Sequence, residues 1–549
     1  MRARFAGLIL LLPLCALGAP ALAQEQPAQL AWRTAQGDEL LRLGPQQVLD
    51  RQPLPADLRA PLGSLWKLFV YAWLNDTGQQ EPAYQCRGES KEEVYCCTAG
   101  QSIERDAALV KSCGLYFQPQ RLGIDGAVWQ QYWQARHAPA WVARLDHLAP
   151  QTEVPVAELL DQLQHLPAQE QAQKVLLDVS LAADDGRAPA ALGGRLRVKT
   201  WSWDEGGERE GGFAGWLVDG TPLWARGPGT SKTVLAKYGT AIGAALPAPW
   251  PRDPGRCVEV SLFTRYPLKE LYDARNQPAA EGLLAGPQKV LFANGVRLDV
   301  NSHGDLFLER GAQGPRLTAR LSREEYVARV LDREASATPA EAAKALAVTI
   351  RTYLLQNGAP RGDCLSIDDS SQRQRVAPRP ASEAAREVAA WTADLVLAGG
   401  TVTYHSDEAG QSKLSWRDAR EQAAKGLRYD AILARAFPRT SLSRWSNPTA
   451  ACQPLPDAER WLQAQRRSWR PRLEGEPGYE ELQSFAVCRL SSGRPYVDRE
   501  RQRIFVRGLY SQQDRLDLAH EYLHLAFQAH PNGQDEGYVE SLARRLILE

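Results

Sequence analysis

Three of the eight histidines in this chain fall within one eleven-residue stretch, HEYLHLAFQAH, from His520 to His530. In a helix, His520 and His524 leave the same face one turn apart, with their β-carbons about 6 Å from each other. Two imidazoles at that spacing can bind one tetrahedral zinc ion. Glu521 stands beside them, where a carboxylate can take a proton from a metal-bound water. The stretch therefore predicts a zinc site with its own general base.

The third zinc ligand is expected after the break HPNG, where QDEGYVESLARRL begins a second helix. This arrangement resembles the gluzincin group of His-Glu-x-x-His metallopeptidases, in which an Asp/Asn-Glu-Gly segment supplies a glutamate. The resemblance implies that Glu536 is the third ligand, with Glu540, one turn further on, as the alternative. His530 has the spacing of the metzincin histidine, but Phe527 stands where that pattern has a turn-forming glycine.

Two other interpretations of this helix remain open. Leu516, Ala519, Leu523 and Phe527 could form a core stripe with the histidines at its margin. The metal could also be structural, although structural zinc sites usually have four protein ligands and many cysteines. Neither interpretation gives a reason for a glutamate inside the motif. We therefore expect a catalytic zinc site near the C-terminus.

The start of the chain indicates export. MRARFAGLILLLPLCALGAPALAQ has basic residues, an apolar core and a small-residue cleavage pattern, so residues 1–23 are predicted to be a signal peptide. Eight of the nine cysteines remain after its removal. An even number of cysteines in an exported chain favours disulfides, for instance between Cys452 and Cys488. A periplasmic or secreted location is expected.

The charge balance excludes several classes of partner. The 65 Lys and Arg residues equal the 65 Asp and Glu residues, so no net charge favours nucleic acid or an anionic membrane. No second apolar run approaches the ~18 residues needed to cross a bilayer. We expect no nucleic-acid partner and no membrane-spanning segment after signal cleavage.

Two proline-rich breaks divide the chain into domains. LPAPWPRDPGR, from Leu246, and SNPTAACQPLPDAER, from Ser446, cannot continue a helix or an inner strand. They predict domains at about 26–247, 255–445 and 446–549. Alternating segments such as RLRVKTWSW indicate strands, and SREEYVARVLDREASATPAEAAKALAVTIRTYLLQ indicates helices. The fold class is predicted to be multidomain α+β, with a small, mainly helical, zincin-like C-terminal domain.

A serine and a lysine at the start of a predicted helix could form a nucleophilic site. Ser64 and Lys67, in PLGSLWKLFVYAWL, lie one turn apart on the same face, as a lysine-activated serine requires. The alternative is a serine that caps the helix, followed by a surface lysine.

Further segments give this pair a context. LVKSCGLYFQPQRLGID and RVKTWSW, followed by GGFAGWLVDG, occur in the order and approximate spacing of the penicillin-binding-protein and β-lactamase family, which this region resembles. The resemblance implies a β-lactamase-like α/β sandwich, with Ser64 as nucleophile, Lys67 as base, Ser112 in the second motif and Lys199 with Thr200 in the third.

Two positions depart from that family pattern. Gly114 stands where the second motif usually has asparagine, and Trp201 stands where the third usually has glycine. An indole at that point is expected to obstruct a substrate lying along the strand.

The middle domain carries a candidate acid, Glu334, between two predicted helices. The region resembles the stage II sporulation protein D (SpoIID) family of lytic transglycosylases and amidase enhancers, which act on peptidoglycan. Seven further residues carry the resemblance: Lys344, Ala347, Arg351, Asp369, Ser370, Ser371 and Gln374. It implies that Glu334 protonates a glycosidic oxygen, whereas a solvated charge is the alternative. The family pattern is replaced at YHSDEAGQS and at RVAP, which follows Gln374.

These sites share a theme, because each resemblance points to the cell wall or to peptide bonds. The sequence therefore predicts an exported cell-envelope hydrolase that acts on peptidoglycan or envelope proteins. The alternative is a non-catalytic envelope adaptor built from decayed enzyme domains.

Overall fold

The computed structural model describes residues 26–182, 187–252, 257–408, 410, 412–450, 452–482, 484–490, 494–499 and 501–548. The predicted signal peptide lies outside the described residues. Three regions, each with a sheet and helices, follow one another along the chain. The predicted multidomain α+β class is confirmed.

Among its described residues, the first region contains ten strands and nine α-helices. Its strands are β1 (Ala28–Thr34), β2 (Gly37–Leu43), β3 (Val48–Pro53), β4 (Arg59–Pro61), β5 (Tyr84–Gln85), β6 (Ser102–Ile103), β7 (Glu153–Pro155), β8 (Leu196–Glu205), β9 (Glu208–Leu217) and β10 (Pro222–Pro228). Its helices are α1 (Trp66–Asp76), α2 (Arg105–Lys111), α3 (Pro119–Leu122), α4 (Gly126–Gln134), α5 (Ala140–Ala143), α6 (Val156–Gln164), α7 (Gln169–Ala182), α8 (Arg187–Leu192) and α9 (Ser231–Ala245).

Six of these strands form an antiparallel sheet in the order β3-β2-β1-β10-β9-β8, so β8 is an edge strand. Successive residues of a strand point to opposite faces. Accordingly, Trp224 packs into one hydrophobic cluster, and its neighbours Leu223 and Ala225 pack into another. Helices cover both faces, and α1 lies in the larger cluster with both tryptophans of α4.

The middle region is built on a seven-stranded mixed sheet. The strands of the region, in and outside this sheet, are β11 (Cys257–Leu262), β12 (Leu268–Tyr272), β13 (Gly282–Phe292), β14 (Arg297–Gly311), β15 (Gly314–Ser322), β16 (Ala359–Arg361), β17 (Cys364–Asp368), β18 (Leu395–Ala398), β19 (Thr403–His405), β20 (Lys413–Ser415) and β21 (Ser441–Arg444). Its helices are α10 (Arg323–Glu334), α11 (Ala340–Asn357), α12 (Glu383–Trp391), α13 (Trp416–Ala424) and α14 (Tyr429–Ala436). The sheet order is β12-β13-β14-β15-β11-β17-β16, with β11 and β17 parallel.

In the part of it that the structure describes, the last region pairs three short strands with three α-helices. They are β22 (Ala486–Arg489), β23 (Tyr496–Asp498), β24 (Arg503–Val506), α15 (Pro456–Leu473), α16 (Gln512–Ala526) and α17 (Glu536–Leu548). Ser511 caps α16 through a capping box with Asp514, which explains why the helix begins there. Helix α16 therefore presents His520 and His524 in its last two turns.

The eight cysteines form four disulfides: Cys86–Cys97, Cys96–Cys113, Cys257–Cys364 and Cys452–Cys488. The prediction of disulfides, including Cys452–Cys488, is confirmed. Within the described residues, no helix combines the length and apolar character needed to cross a membrane.

The regions contact one another through buried polar groups. Asp394 of the middle region accepts a hydrogen bond from Arg197 of β8, in the first region, at 2.8 Å. It accepts a second one from Arg323 of its own region at 2.5 Å. Tyr429 donates to the carbonyl oxygen of Pro189 at 2.8 Å. Arg501 of the last region pairs with buried Asp430 of the middle region. The three regions therefore share interfaces.

Candidate active sites

Ser64 and Lys67 meet at the start of α1. Ser64 lies in a 3-10 turn, Gly63–Leu65, that runs directly into the helix. Lys67 Nζ donates to Ser64 Oγ at 2.9 Å, to the carbonyl oxygen of Ser112 at 2.8 Å and to Ser112 Oγ at 3.1 Å. The side chain of Ser64 does not cap the helix, and Lys67 is buried. The alternative of a capping serine and a surface lysine is therefore wrong.

A second lysine approaches the same hydroxyl. Lys199 Nζ, from edge strand β8, donates to Ser112 Oγ at 2.9 Å and to the carbonyl oxygen of Thr200 at 2.9 Å. Ser112 ends α2 in a left-handed conformation with φ of 63°, which is rare for a residue other than glycine. Backbone strain of this kind is typical of functional sites. The structure thus brings Ser64, Lys67, Ser112 and Lys199 together.

Burial changes the protonation of both lysines. It lowers the pKa of Lys67 to about 8, although the negative charge of Glu92 acts in the opposite direction. Burial also lowers the pKa of Lys199 well below its usual value, assisted by the positive charge of Lys67. An amine with a pKa near 8 is partly neutral at pH 7 to 8 and can accept a proton from a serine hydroxyl.

The expected obstruction by Trp201 is not found. Its indole is buried, stacks on Trp224 at a centroid distance of 6.4 Å, and crosses the adjacent strand at Gly212. A β-carbon on Gly212 would stand 1.9 Å from the carbonyl oxygen of Ala225 and 2.9 Å from Trp201 Cε2, so both the neighbouring strand and the ring require glycine there. Trp201 is therefore a core residue on the inner face of the sheet.

Glu92 belongs to this site and was not predicted. A β-carbon built on Gly114 would stand 3.8 Å from Glu92 Oε2, 3.8 Å from Lys67 Nζ and 3.6 Å from Lys67 Cε. The disulfide Cys96–Cys113 joins the segment that carries Glu92 to the loop that carries Ser112. The cysteine pattern was the available sequence signal, but it does not specify which cysteines pair.

Glu334 is the last residue of α10, not a loop residue. Both of its carboxylate oxygens accept hydrogen bonds from the side chain of Arg375, the closest at 2.7 Å, and one also accepts from the Arg375 backbone at 2.8 Å. The hydroxyl of Tyr404 donates to the Glu334 carbonyl oxygen at 3.0 Å. Arg375 begins the RVAP segment that departs from the family pattern, so the departure changes the environment of the candidate acid.

The other residues of that resemblance have structural contacts. Arg351 is fully buried and pairs with buried Glu324, and it also donates to the carbonyl oxygen of Leu395 at 3.0 Å. The amide oxygen of Gln374 accepts from Tyr326 at 2.5 Å. Burial raises the pKa of Asp369, as does the nearby charge of Glu334. The role of Glu334 as a proton donor remains a prediction.

At the C-terminus, two helices bring His520, His524 and Glu536 together. The two Nε2 atoms lie 3.1 Å apart. The carboxylate of Glu536, the first residue of α17, lies 3.2 Å from His520 Nε2 and 3.5 Å from His524 Nε2. The candidate ligand atoms of these three residues all lie within 4.8 Å of one another. These residues could hold a metal ion.

Each histidine contacts an acceptor through its other ring nitrogen. His524 Nδ1 lies 2.8 Å from the carbonyl oxygen of Gly533, which Arg499 also approaches, at 2.9 Å. His520 Nδ1 lies 3.2 Å from the carboxylate of Glu540. Arg499 Nη2 also donates toward His524 Nδ1, at 3.2 Å, so this ring nitrogen has both a donor and an acceptor within reach. His520 Nδ1 lies close to Glu540 but forms no hydrogen bond with the residues that the structure describes. Glu540, the alternative third ligand, therefore contacts the outer side of His520.

Glu521 is buried beside this group. Burial raises its pKa to about 7, and the charges of Glu536 and Asp517 contribute in the same direction. A carboxylate with this pKa can gain or lose a proton near neutral pH. His530 lies apart from the group, because its ring packs against Gly478 and its Nδ1 accepts from the Asn532 backbone at 3.2 Å.

The proposed core stripe is also present, and the two interpretations of α16 are compatible. Leu516, Ala519, Leu523 and Phe527 are buried in one hydrophobic cluster. His520 keeps 17% of its side chain exposed, and Glu536 keeps 76%. The apolar face thus anchors the helix while the histidines face the start of α17.

Two family models match the chain, over three ranges of residues. A family model described as "Predicted secreted protein (DUF2300)" matches residues 88–210 and 412–532, and one described as "Stage II sporulation protein" (SpoIID) matches residues 312–398. The first match includes Ser112, Lys199, His520 and His524. The second includes Glu334, in the region that resembles SpoIID by sequence.

One relative covers nearly the whole chain. It is the uncharacterized protein YfaQ of Escherichia coli (strain K12), which is 54% identical over 534 residues, or 96% of this chain and 97% of YfaQ. The chain therefore belongs to the same family as YfaQ. The secreted-protein match and the four disulfides agree in giving an exported protein.

Some solved structures resemble part of the chain. A class D β-lactamase from Sebaldella termitidis is 12% identical, with 37% of this chain and 79% of that chain covered and a TM-score of 0.26. The C-terminal domain of the Bacillus licheniformis BlaR penicillin-receptor is 17% identical, with coverages of 34% and 78% and a TM-score of 0.25. An ancestral class A β-lactamase is 16% identical, with coverages of 40% and 94% and a TM-score of 0.25. We draw no conclusion from TM-scores this low.

Proposed function

We propose that the protein is an exported hydrolase of cell-envelope peptides, with a zinc site held by His520, His524 and Glu536. The convergence of three candidate ligand atoms carries this proposal. The two Nε2 atoms lie 3.1 Å apart, and each lies 3.2 to 3.5 Å from an oxygen of the Glu536 carboxylate. A cation bound between them would be held by two imidazole nitrogens and a carboxylate oxygen.

The donor set suits zinc. Two imidazoles and one carboxylate are a usual catalytic ligand set, which leaves one position for water or substrate. The Gly533 carbonyl oxygen, 2.8 Å from His524 Nδ1, would orient that ring, as outer-shell acceptors of zinc-bound histidines commonly do. When bound, zinc supplies Lewis acidity and lowers the pKa of a bound water.

Glu521 is the proposed proton carrier. Its pKa of about 7 lets it take a proton at neutral pH and return it to a leaving amine. The cell wall is the proposed setting of the substrate because residues 312–398 match the stage II sporulation protein family. The middle region, with Glu334 as its predicted acid, is proposed to contact the glycan strand.

Metal content tests the proposal. The purified mature protein is dialysed against a weak chelator and its metals are measured by elemental analysis. We expect about one zinc per chain in the native protein and none in His524→Ala. His530→Ala is the matched control, since it removes a histidine of the same stretch outside the ligand group, and it should retain zinc. A native protein with intact helix content and no zinc would contradict the proposal.

The hydrogen-bonded group around Ser64 favours a second candidate function, acyl transfer to a serine. In the proposed step, Ser64 Oγ forms a bond to a carbonyl carbon while its proton passes to neutral Lys67. The bond from that carbon to the leaving nitrogen or oxygen then breaks, and the leaving atom receives the proton through Lys67 and Ser112. Water hydrolyses the resulting ester in the reverse sense.

Covalent labelling tests this second candidate. A fluorescent penicillin should label the native protein and add its full mass to the peptide that contains Ser64. Ser64→Ala should show no label, and Ser102→Ala, at an exposed serine of β6 outside the group, should be labelled like the native protein. Absence of label in the native protein at millimolar probe would count against a reactive Ser64. An adaptor built from decayed domains would give negative results in both this assay and the metal assay.

A further inference from the structure

The serine site has a gap where the related motif carries a side chain. At Gly114 a β-carbon would meet its neighbours at 3.6 to 3.8 Å, which is ordinary van der Waals contact. The backbone there is not left-handed, so neither space nor conformation requires glycine. The atoms around this gap are Lys67 Cε, Lys67 Nζ and Glu92 Oε2. A carboxylate oxygen therefore reaches the position next to the catalytic amine.

Glu92 is held there by a built scaffold. It lies in a 3-10 turn, Lys91–Tyr95, that begins with Ser90 accepting a hydrogen bond from the Glu92 backbone at 3.2 Å. The next residue, Glu93, is buried and accepts from Tyr84 at 2.9 Å and from the Arg87 backbone at 3.1 Å. The disulfide Cys96–Cys113 joins the end of the turn to the segment that carries Ser112, and Cys86–Cys97 closes the loop that contains the turn.

The carboxylate of Glu92 is not needed to satisfy Lys67. An ammonium group has three hydrogens, and Lys67 directs them at Ser64 Oγ, Ser112 O and Ser112 Oγ. Within the described part of the chain, no cation or hydrogen-bond donor is in bonding contact with the Glu92 carboxylate. The group is thus a negative charge at the mouth of the site, available to a ligand.

We propose that Glu92 determines specificity at this site, which takes an amide or ester with a protonated amino group a few atoms from the scissile carbonyl. This inference rests on the second candidate function. A carboxylate accepts hydrogen bonds and attracts cations, whereas an asparagine amide both donates and accepts. A glutamate carboxylate in place of the asparagine amide of the related motif therefore removes a hydrogen-bond donor for neutral substrates and adds a partner for a cation.

A matched pair of probes tests the inference. The S-benzyl thioesters of β-alanine and N-acetyl-β-alanine differ by one charge, and acylation is followed by the intact mass of the full-length protein at pH 7.5. The native protein should react faster with the free amine. In Glu92→Gln the ratio of the two rates should fall about tenfold, the size of one charge-assisted hydrogen bond. Glu89→Gln, on the same loop, removes the same charge and should keep the native ratio.

The outcomes separate the inference from the function it rests on. An unchanged ratio in Glu92→Gln, or a native protein that prefers the acetylated probe, overturns the specificity while Ser64 stays reactive. Labelling by fluorescent penicillin without reaction with the amine probe also overturns it. If Ser64 reacts with neither penicillin nor the thioesters, the serine site and the inference both fail. Gly114→Asn gives a second variant, which should raise the rate with the acetylated probe relative to the amine probe.

Discussion

The serine site near the start of the chain and the histidine site near its end are assembled in opposite ways. In the first, every hydrogen of Lys67 meets an oxygen, and Lys199 is fully buried. In the second, two imidazoles and a carboxylate converge, and the carboxylate, that of Glu536, is 76% exposed. The hydrogens of Lys67 are satisfied within the serine site, whereas the histidine site is proposed to bind a cation. The two sites should therefore respond to different perturbations.

Substitution of Glu521 should give the largest effect. Glu521→Gln removes the proposed proton acceptor without removing a ligand, so peptide hydrolysis should fall by about 10²- to 10⁴-fold. Zinc content, measured on the same sample, should stay at the native level. Ser64→Ala is the reference variant for the other site. Hydrolysis that depends on Ser64 rather than on Glu521 would reverse the assignment of the active centre.

Trp201→Gly should cost the next largest amount. The variant restores the glycine of the related motif but removes a buried indole that stacks on Trp224, at a cost of at least about 3 kcal/mol. The midpoint of urea unfolding, followed by near-ultraviolet circular dichroism, measures the loss. A variant as stable as the native protein would show that the indole contributes little to the core.

The serine site should depend on pH with a defined sign. Lys67 accepts a proton only when neutral, and its pKa is lowered to about 8, so acylation of Ser64 should rise with pH through this value. The neutral fraction grows about tenfold between pH 7 and pH 9. Because Glu92 raises the pKa of Lys67, Glu92→Gln should shift the midpoint to lower pH. A flat profile from single-turnover labelling would argue against Lys67 as the base.

Removal of Arg375 should have the smallest effect. Arg375→Gln removes the side-chain hydrogen bonds to both oxygens of Glu334 and leaves the backbone one. The Arg375 side chain is 44% exposed, so the loss of stability should not exceed about 1 kcal/mol. Thermal unfolding measures it, with Arg373→Gln, an exposed neighbour, as control. A cost of several kcal/mol would instead mark the pair as part of the core of the middle region.

Local sequence spacing predicted the parts of each site that lie on one helix. Residues three or four apart in a helix share a face, so Ser64 with Lys67 and His520 with His524 followed directly from their spacing. The order of strands and helices was also accessible from alternating and helical patterns.

Contacts between distant segments were not accessible in the same way. Glu92 reaches the serine site through disulfides whose pairing the sequence leaves open, and Arg375 meets Glu334 across 41 residues. The packing of Trp201 on Trp224 joins strands β8 and β10, which no local pattern reveals. These contacts depend on tertiary packing rather than on periodicity.

The disulfide between Cys96 and Cys113 couples chemistry to location. Cys113 directly follows Ser112, and Cys96 belongs to the segment with Glu92. One covalent bond therefore joins the two segments that carry Ser112 and Glu92 at the serine site. Such bonds form in oxidising compartments and not in the reducing cytoplasm. The bond between these two segments is therefore expected to form only after the exported chain has left the cytoplasm.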